Sequence, residues 1–353
     1  MNELLKKDIE NRANSLYHYF SDLAENQKEP SYHVTSQATK FEFVIRENDE
    51  INGKAWCEND VDHVEINSGV IELFYHYFTA VMEHDKVNFL RPLNLDKDES
   101  ILKEYSYEGI IFNNGIAEIF DSKIIDDGKA RLLGIFTSRF IVLHELGHVF
   151  NGHCSFLKNE LHIGDLQFIP MYFENTKGQL NRKNALDFRT LEMDADAFAA
   201  TQSILHVILL YMEFDEQVDV KIDRESLFYW WAFAVHSHFL ICEDRFMDQE
   251  YNKEMTHLPS SARWCLVCNL TIDVIDLSDF LPEDKEKMKN LIMRGAIDAE
   301  IKFNSIKLTN YNWIDETINN FHFIEYTEEV NRNWDKLRDR LQKYARLTLY
   351  GKA

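Results

Sequence analysis

The chain has 353 residues, 45% of them hydrophobic, which is enough to bury a substantial core in one large domain or two smaller ones. It carries 38 basic and 60 acidic residues and a formal net charge of -22. A charge of that sign argues against tight binding to nucleic-acid phosphates or anionic membrane surfaces. We therefore expect no nucleic-acid partner, and partners that are neutral or locally basic.

The sequence also predicts where the protein resides. Its N-terminal stretch is charged and periodic, unlike a secretory signal. The most apolar stretch, 227–242, is interrupted by His236, Ser237 and His238, which argues against a membrane span. Five widely scattered cysteines argue against a disulfide framework. These features predict a cytoplasmic protein and leave its oligomeric state open.

In chain order, the pattern first predicts an amphipathic helix over residues 1–28. Short alternating runs between 40 and 67 then predict a small antiparallel sheet. Helical periodicity follows over 68–82, and an insertion covers about 84–128, in which GIIFNNGIAEIFDSKII could add one or two strands.

The second half of the chain is predicted to be mostly helical. Apolar periodicity recurs over 129–151, 187–214 and 224–242, and a charged amphipathic pattern over 326–347 is expected to pack on the outside. The fold class expected from this order is α+β, predominantly helical, with one small sheet.

One segment has a pattern typical of metal chemistry: residues 144–148 read HELGH within a helical stretch. Residues four apart share a helical face, so His144 and His148 can reach one metal ion, with Glu145 beside a metal-bound water. Zinc would acidify that water and polarise a scissile carbonyl, and the glutamate would pass the proton to the leaving amine. The motif therefore predicts one catalytic Zn²⁺.

A catalytic zinc needs a third protein ligand. Glu192 and Asp196, in TLEMDADAFAA, are four residues apart on a second predicted helix. We expect Glu192 to ligate the metal and Asp196 to accept a hydrogen bond from a liganding histidine. Alternatively, Glu192, Asp194 and Asp196 form a solvated helix start that the helix dipole favours.

His153 is the rival third ligand. It lies one residue short of the spacing in the metzincin pattern HExxHxxGxxH, which requires a histidine where Cys154 stands. The metzincin interpretation therefore fails, and His153 is expected to cap the helix or lie near the site.

These residues resemble the gluzincin metallopeptidases, within them the HtpX and CAAX prenyl endopeptidase group, and more loosely the phage-exclusion peptidase Lit. HELGHVFNGH (144–153) is similar to the group's HExxH and its continuation, and EMDAD (192–196) to its Glu-x-x-Ala-Asp signature. INGKAW (51–56) and HVEINSGVIELF (63–74) look like the strands and helix that precede the metal helix. The resemblance implies an edge strand over the HExxH helix that pairs with an extended substrate.

A downstream element extends the resemblance. THLPSSAR (256–263) is similar to the group's Thr-His-Pro-Ser…Arg element, although Leu258 separates His257 from Pro259. The resemblance implies that His257 donates to the developing oxyanion and that Arg263 supports the site. Because the chain shows none of the spanning segments of membrane-bound relatives, a soluble variant is implied.

The sequence thus predicts an N-terminal helix (1–30), a gluzincin-like metallopeptidase domain (31–275) and a helical C-terminal region (276–353). The expected function is a zinc metalloendopeptidase that hydrolyses peptide bonds in a cytoplasmic protein or peptide substrate. The alternative is a non-catalytic protein-binding module with structural zinc, which a closed four-ligand site including His153 would favour.

Overall fold

The computed structural model describes residues 3–26, 40–49, 52–89, 110–113, 116–119, 128–160, 168–170, 182–212, 224–244, 257–279, 281, 285–307, 313 and 321–349. Its elements in chain order are α1 (Glu3–Asn26), β1 (Lys40–Arg46), β2 (Gly53–Glu58), β3 (Val61–Asn67), α2 (Ser68–Phe89), β4 (Ile110–Asn113), β5 (Ile116–Ile119), α3 (Gly128–Phe150), α4 (His153–Glu160), β6 (Phe168–Pro170), α5 (Arg182–Met212), α6 (Ser226–Asp244), α7 (Ser260–Leu277), α8 (Lys285–Lys307) and α9 (Phe321–Leu341). The predicted order of one helix, a small sheet and then mostly helices is confirmed.

Apolar periodicity located most of the long helices. The predicted helices correspond to α1, α2, α3, α5, α6 and α9, and the strands expected in the insertion form the antiparallel pair β4 and β5. The rest of that insertion, 90–109 and 120–127, lies outside the described residues. Helix α8 lies within the predicted helical C-terminal region, 276–353, although its bounds were not predicted. Its central Gly295 weakens the helical signal, and a Cβ there would meet the Tyr229 carbonyl oxygen of α6.

The sheet has the strand order β1-β3-β2-β6. Strands β2 and β3 pair antiparallel, as predicted, across a tight turn in which Asn59 and Asp60 have positive φ angles of 51° and 60°. Strand β1, however, pairs with β3 in parallel, so the prediction of a purely antiparallel sheet is wrong. The reason is that the tight turn places β2 on one edge of β3 and leaves β1 the other edge. The chain reverses direction between β1 and β2 and again between β2 and β3, so β1 and β3 run the same way.

Strand β2 makes the larger contact with the helix carrying HELGH, and β3 makes a smaller one. Strand β6 pairs antiparallel with β2, with Ala55 opposite Ile169, over the stretch Lys54 to Trp56. The expectation of an edge strand in INGKAW or HVEIN is therefore wrong, because β3 lies between β1 and β2, and β2 lies between β3 and β6 over Lys54 to Trp56. The pairing between β2 and β6 includes Lys54 but does not extend to Gly53.

Two clusters of buried hydrophobic side chains organise the fold. The larger draws on α1, α2, α3, α5, α6 and α8, so the N-terminal helix and part of the C-terminal region share a core with the HELGH helix. In the smaller cluster, Val330, Trp334 and Leu337 of α9 pack with Phe188 and Leu191 of α5. The charged last helix therefore buries one face against the helix that carries Glu192.

One helical segment in the described part of the chain, Ala185–Met212, is long and apolar enough to cross a membrane, with a mean hydropathy of 1.3. Its apolar window is 56% buried inside the protein, and the segment carries Glu192 and Asp196 at buried positions. These features are consistent with the core helix of a soluble protein.

Candidate metal centre

His144 and His148 lie one turn apart on the same face of α3, and both are buried. Their Nε2 atoms are 3.2 Å apart. Two nitrogens at that separation cannot both present unshared lone pairs without repulsion, so a proton or a cation belongs between them. The helix thus brings the two predicted histidine ligands together as its spacing requires.

Helix α5 supplies the third donor. One Glu192 oxygen lies 3.4 Å from His144 Nε2, and the other lies 3.5 Å from His148 Nε2. Ligand atoms of these three buried residues all lie within 4.8 Å of one another, so the group could hold a metal ion. The alternative of a solvated helix start is wrong, because Glu192 lies well inside α5 and is 1% exposed.

The close approach of α3 and α5 depends on Gly147, the fourth residue of HELGH. A Cβ at this position would lie 3.2 Å from both the Cα of Ala195 and the Cβ of Phe198. Such distances are tighter than ordinary packing contacts, so a larger residue would push the helices apart. Glycine therefore lets the carboxylate on α5 reach the histidines on α3.

Burial and charge act in opposite directions on the three donors. Burial lowers the pKa of His144, but hydrogen bonds and charges of Asp196 and Glu192 outweigh it and raise the pKa to about 10. Burial holds the pKa of His148 well below its usual value. Burial also raises the pKa of Glu192, yet the charges of His257 and His148 and hydrogen bonds from His144 and His257 bring it well below its usual value. The carboxylates therefore favour the protonated form of His144, and the neighbouring histidines favour the ionised form of Glu192.

Asp196 and Arg263 support His144 from behind. The Nδ1 of His144 lies 2.9 Å from Asp196 Oδ1. Arg263 donates from Nε to Oδ2 of Asp196 at 2.7 Å and from Nη2 to Oδ1 at 2.8 Å. Burial opposes ionisation of Asp196, but the Arg263 charge and these hydrogen bonds lower its pKa. Asp196 thus makes the hydrogen bond to His144 that the helix spacing predicted, and Arg263 reaches the site through Asp196.

His257 lies at the mouth of the group. Its Nε2 is 3.2 Å from Glu192 Oε2, and its side chain is 19% exposed. Leu258, the extra residue relative to the family pattern, is buried in the smaller hydrophobic cluster. Because Leu258 anchors the chain just before α7 begins, the insertion does not carry His257 away from the site.

Glu145 is completely buried, and neither carboxylate oxygen has a hydrogen-bond partner within the described part of the structure. Burial, reinforced by the charge of Glu192, raises its pKa to about 8, while His144 and Arg263 act in the opposite direction. A Cβ at Gly53 of β2 would lie 2.8 Å from Glu145 Oε1. The carboxylate thus fits beneath β2 where that strand has no side chain.

His153 is close to the site but outside the donor group. Its Nδ1 lies 2.9 Å from Nδ1 of His148, and its Nε2 lies 2.9 Å from Asp194 Oδ2. Asn151 also donates to Asp194 Oδ2, at 2.6 Å. His153 therefore neighbours the site, as one interpretation of the sequence expected, whereas the roles of Asn151 and Asp194 were missed. The signal that could have found Asn151 is the continuation HVFNGH.

The chain matches no protein-family model, no curated protein and no solved structure. The resemblance to gluzincins therefore rests on the sequence motifs alone.

Proposed function

We propose that this chain is a zinc-dependent endopeptidase acting on a cytoplasmic protein substrate, with His144, His148 and Glu192 as the metal ligands. The observation that carries the proposal is the buried, unpartnered carboxylate of Glu145 beside this group. Burying such a group without a partner is costly. A structural metal site has no use for it, whereas a hydrolytic site needs a general base at that place.

The donor set supports zinc as the metal. Two imidazoles and one carboxylate are a ligand set of catalytic zinc sites, in which a fourth position stays open. Both nitrogens of His153 face other side chains, so this residue does not close the site. When bound, zinc would supply a Lewis acid that polarises the scissile carbonyl and acidifies the attacking water.

Residues of the chain transfer the proton of the attacking water and stabilise the negative charge that develops on the substrate. Glu145 takes the proton from the attacking water and delivers it to the leaving amine. Burial raises its pKa, and a metal cation beside it would lower that pKa again and favour the ionised form that accepts the proton. His257 donates to the oxygen on which negative charge develops. Arg263 acts through Asp196, which keeps His144 in place.

Substrate would meet the site at the end of β2. Gly53 lies beyond the pairing with β6, next to Glu145, and the buried Oδ1 of Asn52 is without a hydrogen-bond partner among the described residues. An extended peptide adding to this edge would satisfy Asn52 and bring its backbone towards Glu145.

The competing function is a protein-binding module with a structural metal. The observation in its favour is the burial of the donors, whose side chains are 3%, 0% and 2% exposed for His144, His148 and Glu192. The unpartnered Glu145 and the absence of a fourth donor in the cluster formed by described residues weigh against it.

The deciding experiment combines metal content with hydrolysis. Zinc would be measured by elemental analysis in the wild type, Glu145→Gln and Glu192→Ala, with the exposed Glu58→Gln as a charge-matched control. The same proteins would be incubated with a proteome-derived peptide library, and new peptide termini would be counted by mass spectrometry. We expect one zinc per chain in every protein except Glu192→Ala, and cleavage only by the wild type and the control.

Two results would overturn the proposal. Wild-type protein without zinc after reconstitution removes the metal site. One bound zinc with the same peptide termini in wild type and Glu145→Gln assigns the metal a structural role.

A further inference from the structure

The two histidine ligands are supported in different ways. A metal-binding histidine commonly donates a hydrogen bond from its second ring N–H to a carboxylate or carbonyl, which fixes the tautomer and the ring orientation. His144 meets this rule directly, through Asp196 at 2.9 Å. The Nδ1 of His148 faces a second imidazole instead, that of His153, also at 2.9 Å.

His148, His153 and Asp194 form a series of hydrogen bonds, and the acceptor at its end, Asp194, determines where the protons lie. Asp194 accepts from Asn151, and an ionised carboxylate can only accept, so the Nε2 of His153 must donate to it. For His148 to present an Nε2 lone pair to a cation, its proton must be on Nδ1. The Nδ1 of His153 then accepts that proton's hydrogen bond. The hydrogen bonds therefore allow one arrangement of protons: His148 donates to His153, and His153 and Asn151 both donate to Asp194.

A backbone turn between α3 and α4 holds this series of hydrogen bonds in place. Helix α3 ends at Phe150 and α4 begins at His153, so two residues reverse the chain and return the third imidazole to His148. Gly152 has a φ of +79°, a conformation that side chains disfavour. A Cβ there would also lie 2.4 Å from the Tyr344 carbonyl carbon. The turn and the segment after α9 therefore set the position of His153.

We infer that His153 and Asp194 are positioning residues that hold His148 as the Nδ1–H tautomer, with its Nε2 aimed at the metal position. The inference rests on the proposed metal site and deepens it: one ligand is oriented by a carboxylate directly and the other through an imidazole. It also explains why Asp194, between Glu192 and Asp196, points towards α4 rather than towards the metal group.

The test is zinc affinity, measured by competition with a chromophoric chelator on the full chain. His153→Phe removes both ring nitrogens while keeping an aromatic ring, and we expect zinc affinity to fall about 10- to 100-fold. His153→Gln can still accept and donate, so its affinity should lie between those of His153→Phe and the wild type. Asp194→Asn should lower the affinity less than His153→Phe does.

His238→Phe is the matched control, because it makes the same change at a buried histidine that contacts aromatic rings and lies outside the donor group. Its zinc affinity should stay within about twofold of wild type, a change of under 0.5 kcal/mol. Long-range ¹H–¹⁵N spectra of the histidine rings provide a readout that does not depend on affinity. In the wild type they should show His148 protonated at Nδ1, and this signal should broaden or shift to Nε2 in Asp194→Asn.

The outcomes separate the two ideas. If the wild type binds zinc and folded His153→Phe binds it equally well, the positioning role of His153 is wrong and the proposed function stands. The positioning role is also wrong if the spectra place the His148 proton on Nε2 in zinc-loaded wild type. If the wild type binds no zinc, the proposed function fails and the positioning role fails with it.

Discussion

Arg263 donates two hydrogen bonds to Asp196 through adjacent nitrogens of its guanidinium group, at 2.7 and 2.8 Å. Both residues are buried, at 4% and 2% exposure. The planar guanidinium matches both oxygens of a carboxylate, a geometry that an ammonium group cannot reproduce. The pair joins α7 to α5, so it stabilises the fold and at the same time orients His144.

Removing one partner of this pair should be severe. Arg263→Met leaves a buried carboxylate without its cation and should lower the free energy of unfolding by about 3–5 kcal/mol. Urea unfolding of the metal-free protein measures this. Arg294→Met is the control, because Arg294 makes an exposed pair with Asp298 and its loss should cost about 0–1 kcal/mol. Equal effects of the two substitutions would contradict a structural role for the buried pair.

Gly53→Ala should separate hydrolysis from metal binding. The new Cβ would lie 2.8 Å from Glu145 Oε1 and would force that carboxylate to move. A displacement near 1 Å can cost about 100-fold in rate, so we expect a 10- to 100-fold slower cleavage of a peptide that the wild type cleaves. Zinc content should not change, because Gly53 lies in β2 and the three donors lie on α3 and α5. Undiminished cleavage by this variant would contradict the conclusion that catalysis requires the Glu145 carboxylate in its place beneath Gly53.

The C-terminal segment should be essential for stability. Arg346 pairs with the buried Asp62 at 2.5 and 2.7 Å, and its backbone N–H donates to the Phe150 carbonyl at the end of α3. Tyr17 also donates to Asp62, at 2.8 Å. Arg346→Met should destabilise the protein by about 3–5 kcal/mol.

A double-mutant cycle tests this pair. The double variant Arg346→Met/Asp62→Asn should be less destabilised than the sum of the two single variants, since no buried charge remains unpaired. Additive losses, measured by urea unfolding, would show that the two side chains do not interact.

Acid should destabilise the fold through histidines that the fold holds neutral, the half-buried His206 and the buried His238. Burial lowers the pKa of His206 to about 4 and that of His238 to about 3, from an ordinary 6.5. The unfolded chain therefore binds more protons below pH 6.5, and stability falls as the pH drops from there towards those lower values. For His238 alone the slope is up to about 1.4 kcal/mol per pH unit.

The comparison variant for this prediction is again His238→Phe. Its ring should be accommodated beside Phe74, Phe140 and Phe239, which surround the imidazole. Urea unfolding between pH 7.5 and 5, with a chelator present, should show a flatter pH dependence for the variant than for the wild type. Parallel curves would mean that His238 is not held neutral in the fold.

The sequence by itself determined local features: the positions of helices and the residues that share a helical face. The spacing of His144 and His148 on one helix, and of Glu192 and Asp196 on another, follows from the pitch of the α-helix, and so the shared faces were predictable. The positions of the long helices were predictable for the same reason, because apolar residues recur with the helical period.

The tertiary structure decided how these local faces combine. Glu192 rather than His153 meets the histidines because α3 and α5 approach closely at Gly147, a contact between segments far apart in the chain. The turn at Gly152, clamped by the segment after α9, turns His153 to support His148 instead.

The same holds for the sheet and the C-terminus. Strand β6 pairs with β2, and the backbone N–H of Arg346 donates a hydrogen bond to the Phe150 carbonyl. Both contacts join residues that are far apart in the chain and belong to no common sequence pattern. Local patterns specify which face of an element is buried, but the partner on that face depends on how all the elements pack at once. For this reason the ligands' helices and the support from Asp196 could be predicted from the sequence, while the support from His153 and Asp194 could not.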